Sequence, residues 1–110
     1  LAQLDELIAT AGARPFYLFK HSETCGMSLQ VHEEVREAVA DPTFDTEVHL
    51  VSVQASRPVS QAIAARFGVV HQSPQILLVQ DGTVRWHTSH LAITAAALGD
   101  ALDRHTLTAR

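Results

Sequence analysis

Between Phe16 and Val53 the apolar residues change period twice. Phe16-Tyr17-Leu18-Phe19 is a contiguous run opened by Pro15, the pattern of a short buried strand. From Met27 the apolar positions recur at helical spacing, with Met27, Val31, Val35, Ala38 and Val39 on one face and Glu33, Glu34, Arg36 and Glu37 on the other. Asp41-Pro42 ends this segment, because a residue before proline avoids helical angles. Val48, Leu50, Val51 and Val53 then read as a second strand. Two strands joined through a helix must run parallel with a right-handed crossover, so this stretch commits the chain to a layered α/β fold.

The flanking segments complete the order. Leu4, Leu7, Ile8 and Ala11 make a first helix that stops at Gly12, and Val59, Ala62, Ile63 and Phe67 make a third that opens near Pro58 and stops at Gly68. Ile76–Val79 and Val84–Trp86 flank Asp81-Gly82, the strongest two-residue hairpin signal present. Leu91, Ala95, Leu98 and Leu102 line a last amphipathic helix, for which Thr88 or Ser89 is the expected cap. The expected architecture is α-β-α-β-α-β-β-α, a mixed four-stranded sheet flanked by helices on both faces, forming one domain over residues 1–110.

A length of 110 residues suits a single core, and aromatics at only 5% leave that core to aliphatic side chains and alanine. A net charge of −4 argues against nucleic acid and anionic membranes as partners. No apolar run approaches the roughly 20 residues of a membrane span. One cysteine excludes an internal disulfide framework and suits a reducing, cytoplasmic compartment. The chain begins at Leu1 rather than Met, which leaves room for preceding residues, a removed leader among them.

That cysteine, Cys25, falls where the first strand gives way to the second helix. A helix N-terminus presents unpaired N–H groups carrying about half a positive charge, a field that favours thiolate, the nucleophile of disulfide exchange. Thr24 or Ser22 is placed to cap the same helix end, and Gly26 leaves the backbone beside the sulfur uncrowded. Ser28 stands where a C-x-x-C oxidoreductase has its second thiol, and its hydroxyl can hydrogen-bond a thiolate without resolving a mixed disulfide. A buried, unreactive cysteine is the competing reading. Ser73-Pro74 directly precedes a strand, and next to a reactive thiol in this element order it resembles the cis-proline of the thioredoxin fold.

Three blocks carry a closer resemblance. Lys20-His21-Ser22-Glu23-Thr24-Cys25-Gly26-Met27-Ser28 is similar to the K-H-S-x-T-C-x-x-S block of the monothiol bacilliredoxins, and Ser73-Pro74-Gln75 and Trp86-His87-Thr88-Ser89-His90 resemble two further blocks of that family. The family pattern carries Pro after the cysteine where this chain has Gly26, a departure that bears on thiol activation and not on which thiol reacts. The resemblance implies a thioredoxin-like fold and a cytoplasmic thiol–disulfide oxidoreductase. Its co-substrate would be bacillithiol, a cysteinyl-glucosaminyl-malate thiol, its partners bacillithiolated client proteins, and no cofactor would be bound permanently. Cys25 would be the nucleophile, with Thr24, Gly26, Ser28 and His21 supporting its thiolate and Ser73, Pro74, Ser89 and His90 binding substrate.

Seven histidines raise the question of a metal, but none stands at zinc spacing with Cys25, and no metal site is expected. His90 after Ser89 reads as a helix start able to hold an anion such as a malate carboxylate, with Lys20 and His21 as further candidates for that role. The rival functions are a thiol peroxidase, a glutaredoxin-like protein using glutathione or a shared iron–sulfur cluster, and a binding module with an inert Cys25.

Overall fold

The computed structural model describes residues 2–22 and 26–107. Helix α1 (Ala2–Ala11) leads into β1 (Phe16–His21), α2 (Gly26–Ala40), β2 (Glu47–Ser52), α3 (Arg57–Phe67), β3 (Gln75–Gln80), β4 (Thr83–Ser89) and α4 (Ala95–His105), with a short 3-10 turn at His90–Ala92. The expected order holds element by element. The sheet order is β2-β1-β3-β4, with β1 parallel to β2 and antiparallel to β3, and β3 antiparallel to β4. The C-terminal ends of β1, β2 and β4 and the start of β3 therefore gather at one end of the sheet.

Central β1 and β3 are buried on both faces, as contiguous apolar runs require. Tyr17, Phe19, Ile76 and Leu78 pack against Val31, Val35 and Ala38 of α2 and Leu98 and Ala101 of α4. Phe16, Leu18, Leu77 and Val79 pack on the other face against Leu4 and Ala11 of α1 and Ile63 of α3. The Tyr17 hydroxyl donates to the Leu98 carbonyl at 2.6 Å, which allows a phenol inside the α2/α4 layer. Gly68 closes α3 in the left-handed region at φ 65°, where a Cβ would be strained. Asp81 and Gly82 both have positive φ, 56° and 70°, the backbone of a type I′ turn and the reason for the Asp-Gly pair.

The last helix starts later than the sequence pattern suggests. β4 keeps pairing with β3 as far as Ser89 opposite Gln75, which holds Thr88 and Ser89 extended. The cap of α4 is Thr94, whose hydroxyl accepts from the Ala97 N–H at 3.1 Å. Leu91 is consequently exposed in the 3-10 turn rather than on the helix's apolar face. Val39, expected on the inner face of α2, is exposed too, and so is Leu50 on edge strand β2. No helix among the described residues is long and apolar enough to cross a membrane.

Candidate functional site

Cys25 and Thr24 lie outside the described residues, while the elements around them in sequence are well defined. β1 ends at His21 and α2 begins at Gly26, immediately after the cysteine. Two contacts hold the ends of this connection. The Ser22 N–H donates to Ser28 Oγ at 3.3 Å, and Gln54, in the β2–α3 connection, donates to Ser22 Oγ at 2.6 Å. Ser28 is buried on the first turn of α2, so its hydroxyl serves the strand-to-helix connection itself. Gly26 is exposed, and a Cβ there would meet nothing within 4 Å.

His21 faces the α2 side of the sheet. Its ring lies 5.7 Å from Phe19 and 5.9 Å, edge-on, from His32 one turn beyond Ser28. His32 is half-buried against Phe19 at 6.0 Å. Its i+4 spacing from Ser28 is the signal that places both on one side of α2. Among the described residues no group of three or more histidine, cysteine or acidic side chains could hold a metal.

The Ser73-Pro74 peptide bond is cis. The Pro74 carbonyl accepts from the His90 N–H at 3.0 Å, which ties the end of β4 to this corner. Among the described residues no backbone hydrogen bond uses the N–H or C=O of Ser73, so an extended strand can still pair there. His90 is not at an α-helix start: it opens the three-residue 3-10 turn with φ 56°, exposed, its Nδ1 3.0 Å from Ser89 Oγ. The macrodipole expected to bind an anion at Ser89-His90 is therefore missing, because β4 pairing carries the extended backbone to Ser89 and α4 starts only after Thr94.

The least expected side chain is Lys20. It is 0% exposed at the end of central β1, with Val51 and Gln75 as its strand partners. Its ammonium contacts His71 Nδ1 at 3.1 Å, and it takes part in none of the ion pairs between described residues. Burial pushes its pKa down to about 8, and burial together with the lysine charge lowers that of His71. His71 accepts at Nδ1, so its proton sits on Nε2. Gln75 is also buried, donates from Nε2 to the Val70 carbonyl at 3.0 Å, and leaves Oε1 without a partner. Ser73 Oγ is likewise unpaired. A charged residue closing the run Phe-Tyr-Leu-Phe-Lys, and a glutamine directly after Ser-Pro, were the available signals. A cavity of about 360 Å³ opens beside Gln75 and Ser89. A larger one, about 910 Å³ and lined by Pro15, Glu47 and Gln80, lies at the opposite end of the sheet, away from these residues.

The arrangement is the thioredoxin fold. A solved structure of a protein described as a candidate oxidoreductase with a thioredoxin fold is 26% identical, with TM-score 0.83, covering 93% of this chain and 88% of that one. Thioredoxin of Fasciola hepatica superposes with TM-score 0.73 at 23% identity, covering 96% and 93%. The protein Trxlp of Edwardsiella tarda gives 0.71 at 19%, covering 92% and 91%. The family model of the monothiol bacilliredoxin BrxC matches residues 1–98, nearly the whole chain. This protein belongs to the monothiol bacilliredoxin family.

Proposed function

We propose that this protein is a cytoplasmic thiol–disulfide oxidoreductase that removes bacillithiol from client proteins through Cys25. The observation that carries the reading is a chain whose one thiol directly precedes α2 in the sequence and whose Ser73, before the cis bond to Pro74, has backbone groups that no backbone hydrogen bond among the described residues uses. Family membership supports the choice of co-thiol.

In the first step the Cys25 thiolate attacks the bacillithiol sulfur of the client mixed disulfide. A new S–S bond joins Cys25 to bacillithiol, the old one breaks, and the client thiolate leaves and takes a proton from solvent. A second bacillithiol, as thiolate, then attacks the bacillithiol sulfur on Cys25. Oxidised bacillithiol disulfide leaves and the Cys25 thiolate is regenerated. Two bacillithiols supply the two electrons that reduce the client. With no second cysteine in the chain, the resolving thiol has to come from outside. In this reading Thr24, Gly26, Ser28 and His21 support the thiolate, and Ser73, Pro74, Ser89 and His90 bind substrate. No permanently bound cofactor, nucleic acid or membrane enters the scheme.

The test is reduction of a bacillithiolated client by the wild type and by Cys25→Ser, run side by side with a glutathionylated client and with hydrogen peroxide. Faster turnover of the bacillithiol adduct, lost in Cys25→Ser with an unchanged circular dichroism spectrum, supports the proposal. Preference for the glutathione adduct assigns a glutaredoxin-like role, peroxide consumption a peroxidase, and no reaction of Cys25 with any of them a binding module.

A further inference from the structure

We propose that the cavity beside Gln75 is a subsite for the hexose of the low-molecular-weight thiol, and that Gln75 is the residue that reads it. The inference rests on the bacillithiol reading above and names which part of that molecule is recognised where.

Strand β3 carries a buried glutamine at each end, and the two are treated differently. Gln80 uses its whole amide: Nε2 donates to the Ala13 and Leu107 carbonyls at 2.9 and 3.4 Å, and Oε1 accepts from the Leu107 N–H at 2.7 Å. That is a glutamine that closes structure. Gln75 is 1% exposed, and its Nε2 is committed to the Val70 carbonyl. Only the nitrogen can donate to a carbonyl, so the amide orientation is fixed and the orphan Oε1 is a permanent acceptor without a donor. Buried acceptors in this state are rare and call for an explanation.

The cavity onto which Gln75 opens has the chemistry of a neutral, hydroxyl-rich ligand. Its volume of about 360 Å³ lies in the small-ligand range. Gln72, Gln75, His87 and Ser89 supply amide, imidazole and hydroxyl groups, Val69 and Val70 an apolar wall, and no lysine, arginine or carboxylate lines it. Val70 is 79% exposed, an apolar platform for the C–H face of a sugar ring. A sugar hydroxyl supplies the donor that Gln75 Oε1 lacks once the cavity wall yields to uncover that atom, which is closed to solvent in the free chain. A carboxylate would find no counter-charge in the lining, and Lys20, on the neighbouring strand, is already taken by His71. The cavity adjoins the substrate edge through the chain itself, since Gln75 follows Pro74 and pairs with Ser89. β1, which leads to Cys25, ends at this same end of the sheet, so a thiol bound to that cysteine can lay its sugar across the cavity.

The experiment uses the full chain and three thiol-free probes: glucosaminyl-malate, methyl glucosaminide and malate. In 1H–15N correlation spectra both sugar-bearing probes are expected to shift the amides of 68–72, Ser89 and the Gln75 side chain, and malate is not. Absence of those shifts, or the same shifts with malate alone, overturns the subsite. In turnover, Val70→Trp, which fills the mouth from an exposed position, is expected to raise KM for a bacillithiol mixed disulfide about five- to tenfold relative to a cysteine mixed disulfide, the range of one or two neutral hydrogen bonds. Equal changes on both substrates also overturn it. A sugar footprint in a protein that does not turn over bacillithiol adducts leaves the subsite standing and removes the functional reading; turnover without the footprint does the reverse.

Discussion

Replacing Lys20 with methionine keeps an unbranched chain of similar length in the slot between Val51 and Gln75 and removes only the charge. The magnitude follows from the lowered pKa. Burial moves the lysine from 10.5 in the unfolded chain to about 8 in the folded one. At about 1.36 kcal/mol per pH unit, this lowering sets an upper value of about 3 kcal/mol, which solvent relaxation around the ammonium reduces to about 2–3 kcal/mol. The sign is a cost. Between pH 8 and 10.5 the unfolded chain binds the lysine proton more readily than the folded one, so stability gains with pH across that window, and the deficit is complete below pH 8.

Lys20→Met is therefore expected to be more stable than wild type by about 2–3 kcal/mol at pH 8, the gap shrinking by about 1.4 kcal/mol per unit above pH 8 and nearly closed at 10.5. Urea unfolding of both chains, followed by Trp86 fluorescence at half-unit steps from pH 8, measures it. Two other groups need to be kept out of the difference. Burial raises the Tyr17 pKa, which weakens both chains equally as the unfolded phenol ionises at high pH and so cancels. Burial and the lysine charge both lower the His71 pKa, and the variant removes only the second cause, so the comparison is read from pH 8 upward, clear of the imidazole. A gap that does not change with pH, or a variant weaker than wild type at pH 8, would refute the reasoning, because it would mean that the folded protein holds a counter-charge for the ammonium.

Ser28→Cys puts a second sulfur on the first turn of α2, three residues after Cys25 in the sequence. It is expected to form an intramolecular disulfide on oxidation and to depend less on external bacillithiol, measured by thiol titration and by turnover against co-thiol concentration; two free thiols after oxidation would show that Ser28 is not at the resolving position. Gly26→Ala introduces a Cβ into open space on the first turn of α2 and is expected to add roughly 0.5–1 kcal/mol in urea unfolding. His90→Ala is expected to weaken turnover of bacillithiol mixed disulfides more than of a small uncharged disulfide. The loss should be severalfold, since the imidazole works there as an exposed side chain without a helix dipole behind it; equal losses on both would assign His90 to structure.

What the sequence disclosed, it disclosed through local pattern. The switch from Phe16–Phe19 to the Met27–Ala38 stripe is one, and the Asp81-Gly82 pair with its two positive φ values is another. What it hid depends on long-range pairing. Whether Trp86-His87-Thr88-Ser89 continues a strand or starts a helix is decided by β3, eight to fourteen residues earlier in the chain, and no helical stripe in the last segment reports it. The signal that was available is Thr94 three residues before Ala97, a cap preceding the true apolar face at Leu98 and Ala101. Lys20 was named for its place beside the cysteine loop, but its burial was not legible. Lysines are almost never fully buried, and only the position of β1 between β2 and β3 puts this one inside.

The unsatisfied groups of the fold are not scattered. Ser73 Oγ and Gln75 Oε1 flank the cis bond, and Lys20, whose hydrogen-bond partner among the described residues is the His71 imidazole, stands across from Gln75; the other orphan among the described residues, Arg85 Nε, belongs to the irregular part of β4. Each buried orphan costs about 1–3 kcal/mol, and Lys20 adds a similar amount, against a net stability of about 5–15 kcal/mol for a domain. A fold that closes Gln80 completely at one end of β3 has the means to close Gln75 at the other, so the cost at that end is local and not forced by topology. The edge proposed to bind substrate holds polar groups that find no partner among the described residues. Substitutions there that make the protein more stable by removing those groups should make it a poorer binder of its thiol, and those at the Gln80 end should destabilise it without touching turnover.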